Sequence, residues 1–209
     1  ELGHPNGVLT GGGAMGSVGR HNPSAVQLDL AAGSLEVVKR ANSKGITTFC
    51  DQATGMSRGV KEIDILNALG QSDQMTARLR YSLSYGIQEK WDAYDIKCGD
   101  GNEVVRCTAW KIVSDGSNQG FSGLQREPYL YREDAGQPYV DADDLIAMVR
   151  DRAEKGWALA IHANGDKAID NVLDAYESAF NDGLLTNTPC RIEHCSILHD
   201  EHIARIARM

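Results

Sequence analysis

An α/β fold with parallel strands is what this sequence predicts, and three observations predict it. Five short β-branched or aromatic runs have the character of buried strands, amphipathic helical stretches alternate with them, and Gly45, Gly70 and Gly156 stand where a helix gives way to the next strand. Alternation of this kind builds a mostly parallel sheet covered by helices.

The first helix is expected over 24–44. Pro23 and Ser24 can start it, Leu30, Leu35, Val38 and Ala41 give it a stripe, and Gly45 stops it. The run 46–51, Ile-Thr-Thr-Phe-Cys-Asp, reads as a buried strand. Val60, Ile63, Leu66 and Leu69 mark a second helix ending at Gly70, and 78–85 alternates with period two as a second strand. Residues 88–97 read as helical. A third strand, 108–114, runs into the turn signal Asp115-Gly116. The stretch 117–140 holds glycine, proline and the aromatics Phe121, Tyr129, Tyr131 and Tyr139 without a period, and is expected to be a long loop on the active-site side.

Asp141 or Asp143 should cap the next helix, with Leu145, Ile146, Val149 and Ala153 on one face. The fourth strand is 157–162. Asp166 is expected to cap a long helix that turns Ile169, Val172, Leu173, Tyr176 and Phe180 inward. The fifth strand is 189–194, and Asp200 should cap a last helix. Residues 1–23 form a Gly-rich lead-in. Two arrangements compete. A doubly wound sheet would bind a nucleotide through a Gly-rich turn, but Gly11, Gly12, Gly13 and Gly16 follow only the short run Val8-Leu9, a weak signal. An eight-stranded barrel usually needs about 250 residues, so five strands would make an incomplete one.

The chain has 209 residues, 42% hydrophobic and 24% charged, enough for one good core. Its net charge of −8 argues against a nucleic-acid partner, which needs a basic face. No apolar run is long enough to span a membrane, and no secretory leader is visible at the start. Five cysteines without a CxxC pair point to a reducing compartment, and a cytoplasmic location is expected.

Polar residues at the C-terminal ends of parallel strands are the best pointers to chemistry. His162 closes the apolar run 157–161 and precedes Ala-Asn-Gly-Asp; His194 occupies the same place one strand–helix unit later. Each alone could be a hydrogen-bonded structural histidine, but two on adjacent strands can meet at one metal ion. Lys111 stands inside the apolar run Trp110-Lys-Ile-Val, where an unpaired ammonium is costly. It is either paired with a carboxylate such as Asp115, a Schiff-base amine, or a metal-site lysine. Asp51 could be a ligand or a turn former. Cys195 should face away from His194, and His199 and His202 are expected to be exposed to solvent.

The segment 111–117, Lys-Ile-Val-Ser-Asp-Gly-Ser, with Gln119-Gly-Phe121, resembles a strand segment of the YtcJ-like branch of the metal-dependent amidohydrolase superfamily. Ala-Ile-His-Ala-Asn-Gly-Asp at 160–166 and Arg-Ile-Glu-His at 191–194 look like the two histidine motifs that follow it, and Asn6-Gly-Val-Leu9 and Gly45-Ile-Thr-Thr48 match weaker upstream motifs. The resemblance implies a partial (β/α)8 TIM barrel, with the five strands as barrel strands two to six. It implies a hydrolase of carbon–nitrogen bonds outside peptide linkage, acting on a small molecule. It also implies a divalent cofactor, up to two ions per intact site, with zinc first and iron or manganese as alternatives. Lys111, carboxylated on its amine, His162 and His194 would be metal ligands, and Asp115, Gln119, Asn164 and Asp166 would contact substrate or support the ligands.

The family's His-x-His pair is not found in the sequence, and its catalytic Asp is expected beyond Met209. The chain is therefore expected to be an internal fragment with weak metal affinity and little turnover alone, and its exposed sheet edges could pair copies into a homo-oligomer. The rivals are a non-catalytic binding or regulatory half-barrel, and a Schiff-base lyase using Lys111.

Overall fold

The computed structural model describes residues 7–9, 16–19, 21 and 29–209. Most of the Gly-rich lead-in and the expected start of the first helix lie outside the described residues. The elements run α1 (Leu30–Asn42), β1 (Thr48–Thr54), α2 (Lys61–Gly70), β2 (Arg78–Ser84), a 3-10 turn (Tyr85–Ile87), α3 (Gln88–Tyr94), β3 (Val105–Val113), α4 (Ala142–Glu154), β4 (Leu159–Ala163), α5 (Asp166–Asn181), β5 (Cys190–His194) and α6 (Asp200–Arg208).

All strand pairs are parallel, and the strand order is β1-β2-β3-β4-β5. This order decides between the two architectures the sequence left open. A doubly wound sheet reverses its order at a switch point, whereas a barrel adds each strand beside the last. The sheet also curls. The Cys50 thiol on β1 feels the charges of Arg191 and Glu193 on β5. In a flat sheet four strand spacings would separate them by about 19 Å. The chain forms a half-barrel with helices on its outer face.

The two faces differ in chemistry. Leu79, Tyr81, Leu83, Trp110, Ile112, Leu159 and Ile161 point outward and are fully buried beneath Ile63 of α2, Leu145 and Val149 of α4, and Ile169 and Leu173 of α5. Burying a large aliphatic side chain contributes about 1.5–3 kcal/mol, so this outer layer is the main core. The inner face carries Ser82, Ala109, Lys111, Ala160 and His162, with a separate small cluster of Ala109, Ala158 and Ala160. Arg152 is buried within the outer layer. Its guanidinium lies 3.8 Å from the Trp110 ring and pairs with Asp92 of α3 at 2.6 and 2.9 Å.

Several expectations need correction. β1 occupies Thr48–Thr54, later than 46–51, and β3 begins at Val105, earlier than 108. α3 ends at Tyr94, because Asp95 turns left-handed at φ 58°. Asp29, with an extended backbone, caps α1 by accepting the Ala32 N–H at 3.1 Å, and Val38 is the buried residue of its expected stripe. Gly165 and His199, not Asp166 and Asp200, hold the N-cap positions of α5 and α6. Phe180 is 38% exposed, at the end of α5 rather than inside the core. Among the described residues no helix is long and apolar enough to cross a membrane.

Candidate active site

Because the strands are parallel, the C-terminal ends of β3, β4 and β5 open on one rim of the half-barrel. In register, Lys111 of β3 stands beside Ala160, and Val113 beside His162, so Lys111 and His162 share the inner face. His162 pairs with Glu193 and Ala163 with His194. By strict alternation His194 would therefore point outward.

It does not. His194 and Cys195 are left-handed, at φ 67° and 49°, a conformation in which a non-glycine residue costs about 1–2 kcal/mol. Alternation ends there, and the His194 ring sits edge-on to the His162 ring, 4.5 Å between centroids and 73° between planes. The strained turn is held by its neighbours. Cys195 N–H donates to the Ala163 carbonyl at 3.0 Å, Ile197 N–H to the Asn164 carbonyl at 3.2 Å, and the Ser196 hydroxyl to Asn164 Oδ1 at 2.6 Å. Burial, then the charges of His162 and Lys111, push the His194 imidazole below its ordinary pKa.

Lys111 is 5% exposed. Its Nζ donates to the Ile112 carbonyl at 2.9 Å. Burial pushes its pKa down to about 8, against the pull of the Glu193 carboxylate toward the charged form. An amine in that range is partly neutral near physiological pH and available as a nucleophile.

His162 Nε2 lies 2.8 Å from the Gly116 carbonyl, 3.1 Å from Asn164 Nδ2 and 3.3 Å from Asp115 Oδ1. Asp115 is entirely buried and accepts from backbone N–H groups of Asn164, Gly165 and Leu124. Asn164 also donates from Nδ2 to the Gly116 carbonyl at 2.8 Å. Gln119 is exposed on the loop. Asp166 accepts the Arg126 N–H at 2.8 Å and meets His199 Nε2 at 3.1 Å. Asp51 bonds within its own turn, to Ala53 N–H and the Thr54 hydroxyl.

The loop 117–140 has no regular element but is firmly anchored. Asn118 Nδ2 donates to the Asn164 carbonyl at 3.2 Å and Gln125 Nε2 to Asn118 Oδ1 at 2.8 Å. Arg126 forks onto Asp170 at 2.7 Å through both Nε and Nη2, and reaches Glu201 at 2.6 Å. His202, expected at the surface, is wholly buried. Its Nδ1 accepts the His199 N–H at 3.1 Å, and its Nε2 lies 3.0 Å from Asp170 Oδ1. Arg126, Asn118 and Ser196 carried no sequence signal. Asp170 did offer one, standing four residues after Asp166 on the same helix face.

Two grooves lie away from the histidine pair. One of about 870 Å³ runs between Tyr85, Ile87, Tyr139 and Met148, and another of about 310 Å³ between Leu173, Tyr176, Cys190 and Ile206. Neither is lined by Lys111, His162 or His194. Among the described residues no group of three His, Cys, Asp or Glu side chains is placed to hold a metal. The two histidines form a pair, and Lys111 would be the third donor.

The whole chain, residues 1–209, matches the model of the amidohydrolase family. The chain belongs to the amidohydrolase family. The YtcJ protein of Bacillus subtilis (strain 168), whose name places it among amidohydrolases, is 31% identical over 122 residues, 58% of this chain and 22% of that protein. An uncharacterized metal-dependent hydrolase from Pyrococcus furiosus superposes with a TM-score of 0.68 at 24% identity, over 83% of this chain and 35% of that one. A similar hydrolase from Pyrococcus horikoshii OT3 gives 0.67 at 23% identity, over 83% and 34%. These likenesses establish the fold, a partial (β/α)8 barrel. The chain spans about a third of the solved relatives and less than a quarter of YtcJ.

The donor chemistry suits the divalent metal that the family implies. The hydrogen bonds of His162 run through Nε2, which leaves Nδ1 for coordination. His194 is its ring neighbour, and a lysine held near neutrality can take up carbon dioxide and become a carboxylate donor. Protonated, Lys111 is purely a hydrogen-bond donor, and carboxylation would turn it into an anionic oxygen donor that suits a divalent ion.

Proposed function

We propose that this chain forms the central part of a metal-dependent hydrolase site for carbon–nitrogen bonds of small molecules outside peptide linkage. The pairing of the His162 and His194 rings on the rim they share carries the reading. His162, His194 and carboxylated Lys111 would hold a divalent ion, zinc first, then iron or manganese, with room in the family pattern for two. A bound ion would supply a Lewis acid that activates water for attack on a carbonyl carbon.

The chain's own residues hold and orient. The Gly116 carbonyl and the Asp115 carboxylate fix the His162 ring from behind. Asn164 joins the turns after β3, β4 and β5 through Gly116, Asn118 and Ser196. Gln119 and the aromatic side of 117–140 are offered to substrate, and Asp166 keeps the loop seated on α5. The cysteines are free thiols, which suits a cytoplasmic, reducing setting. The β1 and β5 edges favour association of copies, which sedimentation would read directly.

Zinc titration against a competing chelator, with bicarbonate present, tests the reading. Wild-type protein should bind zinc, and the His162→Ala/His194→Ala double variant should not. Equal affinity in both would end the hydrolase assignment. The lowered Lys111 also favours a second reading, a Schiff-base lyase. Borohydride trapping of an added carbonyl compound on Lys111 would support it, and absence of an adduct would remove it.

A further inference from the structure

Asp115 gathers its partners from two separate parts of the chain, the exit of β4 at 162–165 and the long loop at Leu124. Oδ1 accepts the Asn164 N–H at 3.0 Å and lies 3.3 Å from His162 Nε2. Oδ2 accepts the Leu124 N–H and the Gly165 N–H, each at 2.9 Å. The side chain is 0% exposed, and a carboxylate so placed depends on every one of these donors. One oxygen addresses the exit of β4 and the histidine. The other addresses the start of α5 and the long loop.

The loop has little freedom at this contact. A Cβ on Gly165 would meet the Leu124 carbonyl oxygen at 1.9 Å, and Ala168 N–H donates to that same oxygen at 3.2 Å. Gly116, next to Asp115, gives its N–H to the Ser122 carbonyl at 3.0 Å while its own carbonyl faces His162 Nε2. At Nε2, two acceptors, the Gly116 carbonyl and the Asp115 carboxylate, stand against one donor, Asn164 Nδ2. They place the ring hydrogen on Nε2.

We propose that Asp115 is a positioning residue that joins the loop 117–140 and the His162 ring into one unit, so that loop order and imidazole orientation are gained or lost together. The inference rests on the hydrolase reading only in giving His162 a ligand's task. The lock itself belongs to the metal-free protein. A merely structural carboxylate would stiffen the loop and leave the ring indifferent.

The experiment uses metal-free protein with 15N-labelled histidine, read by imidazole NMR and amide hydrogen exchange. Wild-type His162 should appear as a single Nε2–H tautomer. In Asp115→Asn, exchange at Leu124, Asn164 and Gly165 should rise about tenfold or more, and the His162 ring should average between tautomers. Zinc affinity should then fall ~10–100-fold, as for loss of an outer partner of a ligand. Arg126→Ala is the control, since it removes the side-chain ties to Asp170 and Glu201 and leaves the Asp115 bonds in place; exchange at Leu124 and the ring signature should both stay as in wild type. Fast amides with an unchanged ring in Asp115→Asn would overturn the proposal. So would a wild-type His162 with its hydrogen on Nδ1, a result that stands even if the variant does not fold. Failure of wild-type protein to bind zinc would instead remove the ligand role and leave the ring-and-loop result to be judged alone.

Discussion

The His162 and His194 rings meet at 4.5 Å although strand alternation assigns them to opposite faces of the sheet. The left-handed backbone at His194 brings them together. Local strain of this kind persists where surrounding bonds over-determine it, and here Ser196, Ile197 and Cys195 all bond back to the β4 exit.

That strain is measurable. His194→Ala keeps the positive φ cost, whereas His194→Gly relieves it. We expect the glycine variant to be more stable than the alanine variant by about 1 kcal/mol in urea unfolding. Both should lose zinc affinity, by more than the ~10–100-fold typical of an outer-shell loss. An alanine variant as stable as the glycine one would mean that the turn is not strained.

Lys111 is a residue that stability alone would not keep. Its amine is buried with a single carbonyl acceptor, and burying an ammonium without a close carboxylate is costly. Lys111→Met keeps the volume and removes the charge. At pH 7 it should be as stable as wild type or gain about 1–3 kcal/mol, while zinc binding in bicarbonate disappears. A large loss of stability would show that the ammonium is needed structurally.

The architecture was legible because burial in a parallel sheet is written into short apolar runs such as 157–161, and helix ends into Gly45, Gly70 and Gly156. Strand order came only through the resemblance, which implied consecutive barrel strands, since residue types alone do not say which strands pair. The ligand candidates could be read as polar residues interrupting apolar strand ends. How His194 reaches His162 could not, because a positive φ at a histidine leaves no trace in composition. His202 misled for a related reason: a helix-start histidine looks solvated until Asp170 and the His199 N–H close around it.

Gly165 tests how closely the loop is seated. An added Cβ would fall 1.9 Å from the Leu124 carbonyl oxygen, a backbone atom that cannot swing aside. Gly165→Ala should destabilise the protein by about 1–3 kcal/mol and raise hydrogen exchange from Leu124 to Arg126. A variant of unchanged stability would show that the loop lifts freely from α5.

The same loop should give the protein an acid-sensitive limb. Burial alone would raise the Asp170 carboxyl, but the Arg126 guanidinium and His202 overcome it and hold the group below the usual range; Asp166 is likewise held down, by Arg126 N–H and His199. For a depressed carboxyl the stabilisation is complete above the unfolded pKa, near 4, and is lost as pH falls through the lower folded value. Arg126→Ala should therefore cost about 1–2 kcal/mol at pH 7, chiefly from the charge-assisted pair with Asp170. Half-exposed Glu201 adds little. The gap between variant and wild type should narrow as pH drops below about 4 and close only once pH has fallen through the depressed value at which Asp170 protonates in the wild type. Urea midpoints of both proteins from pH 7 to pH 3 measure it directly, and a gap that stays constant over that range would show that Arg126 holds the loop by packing rather than by charge.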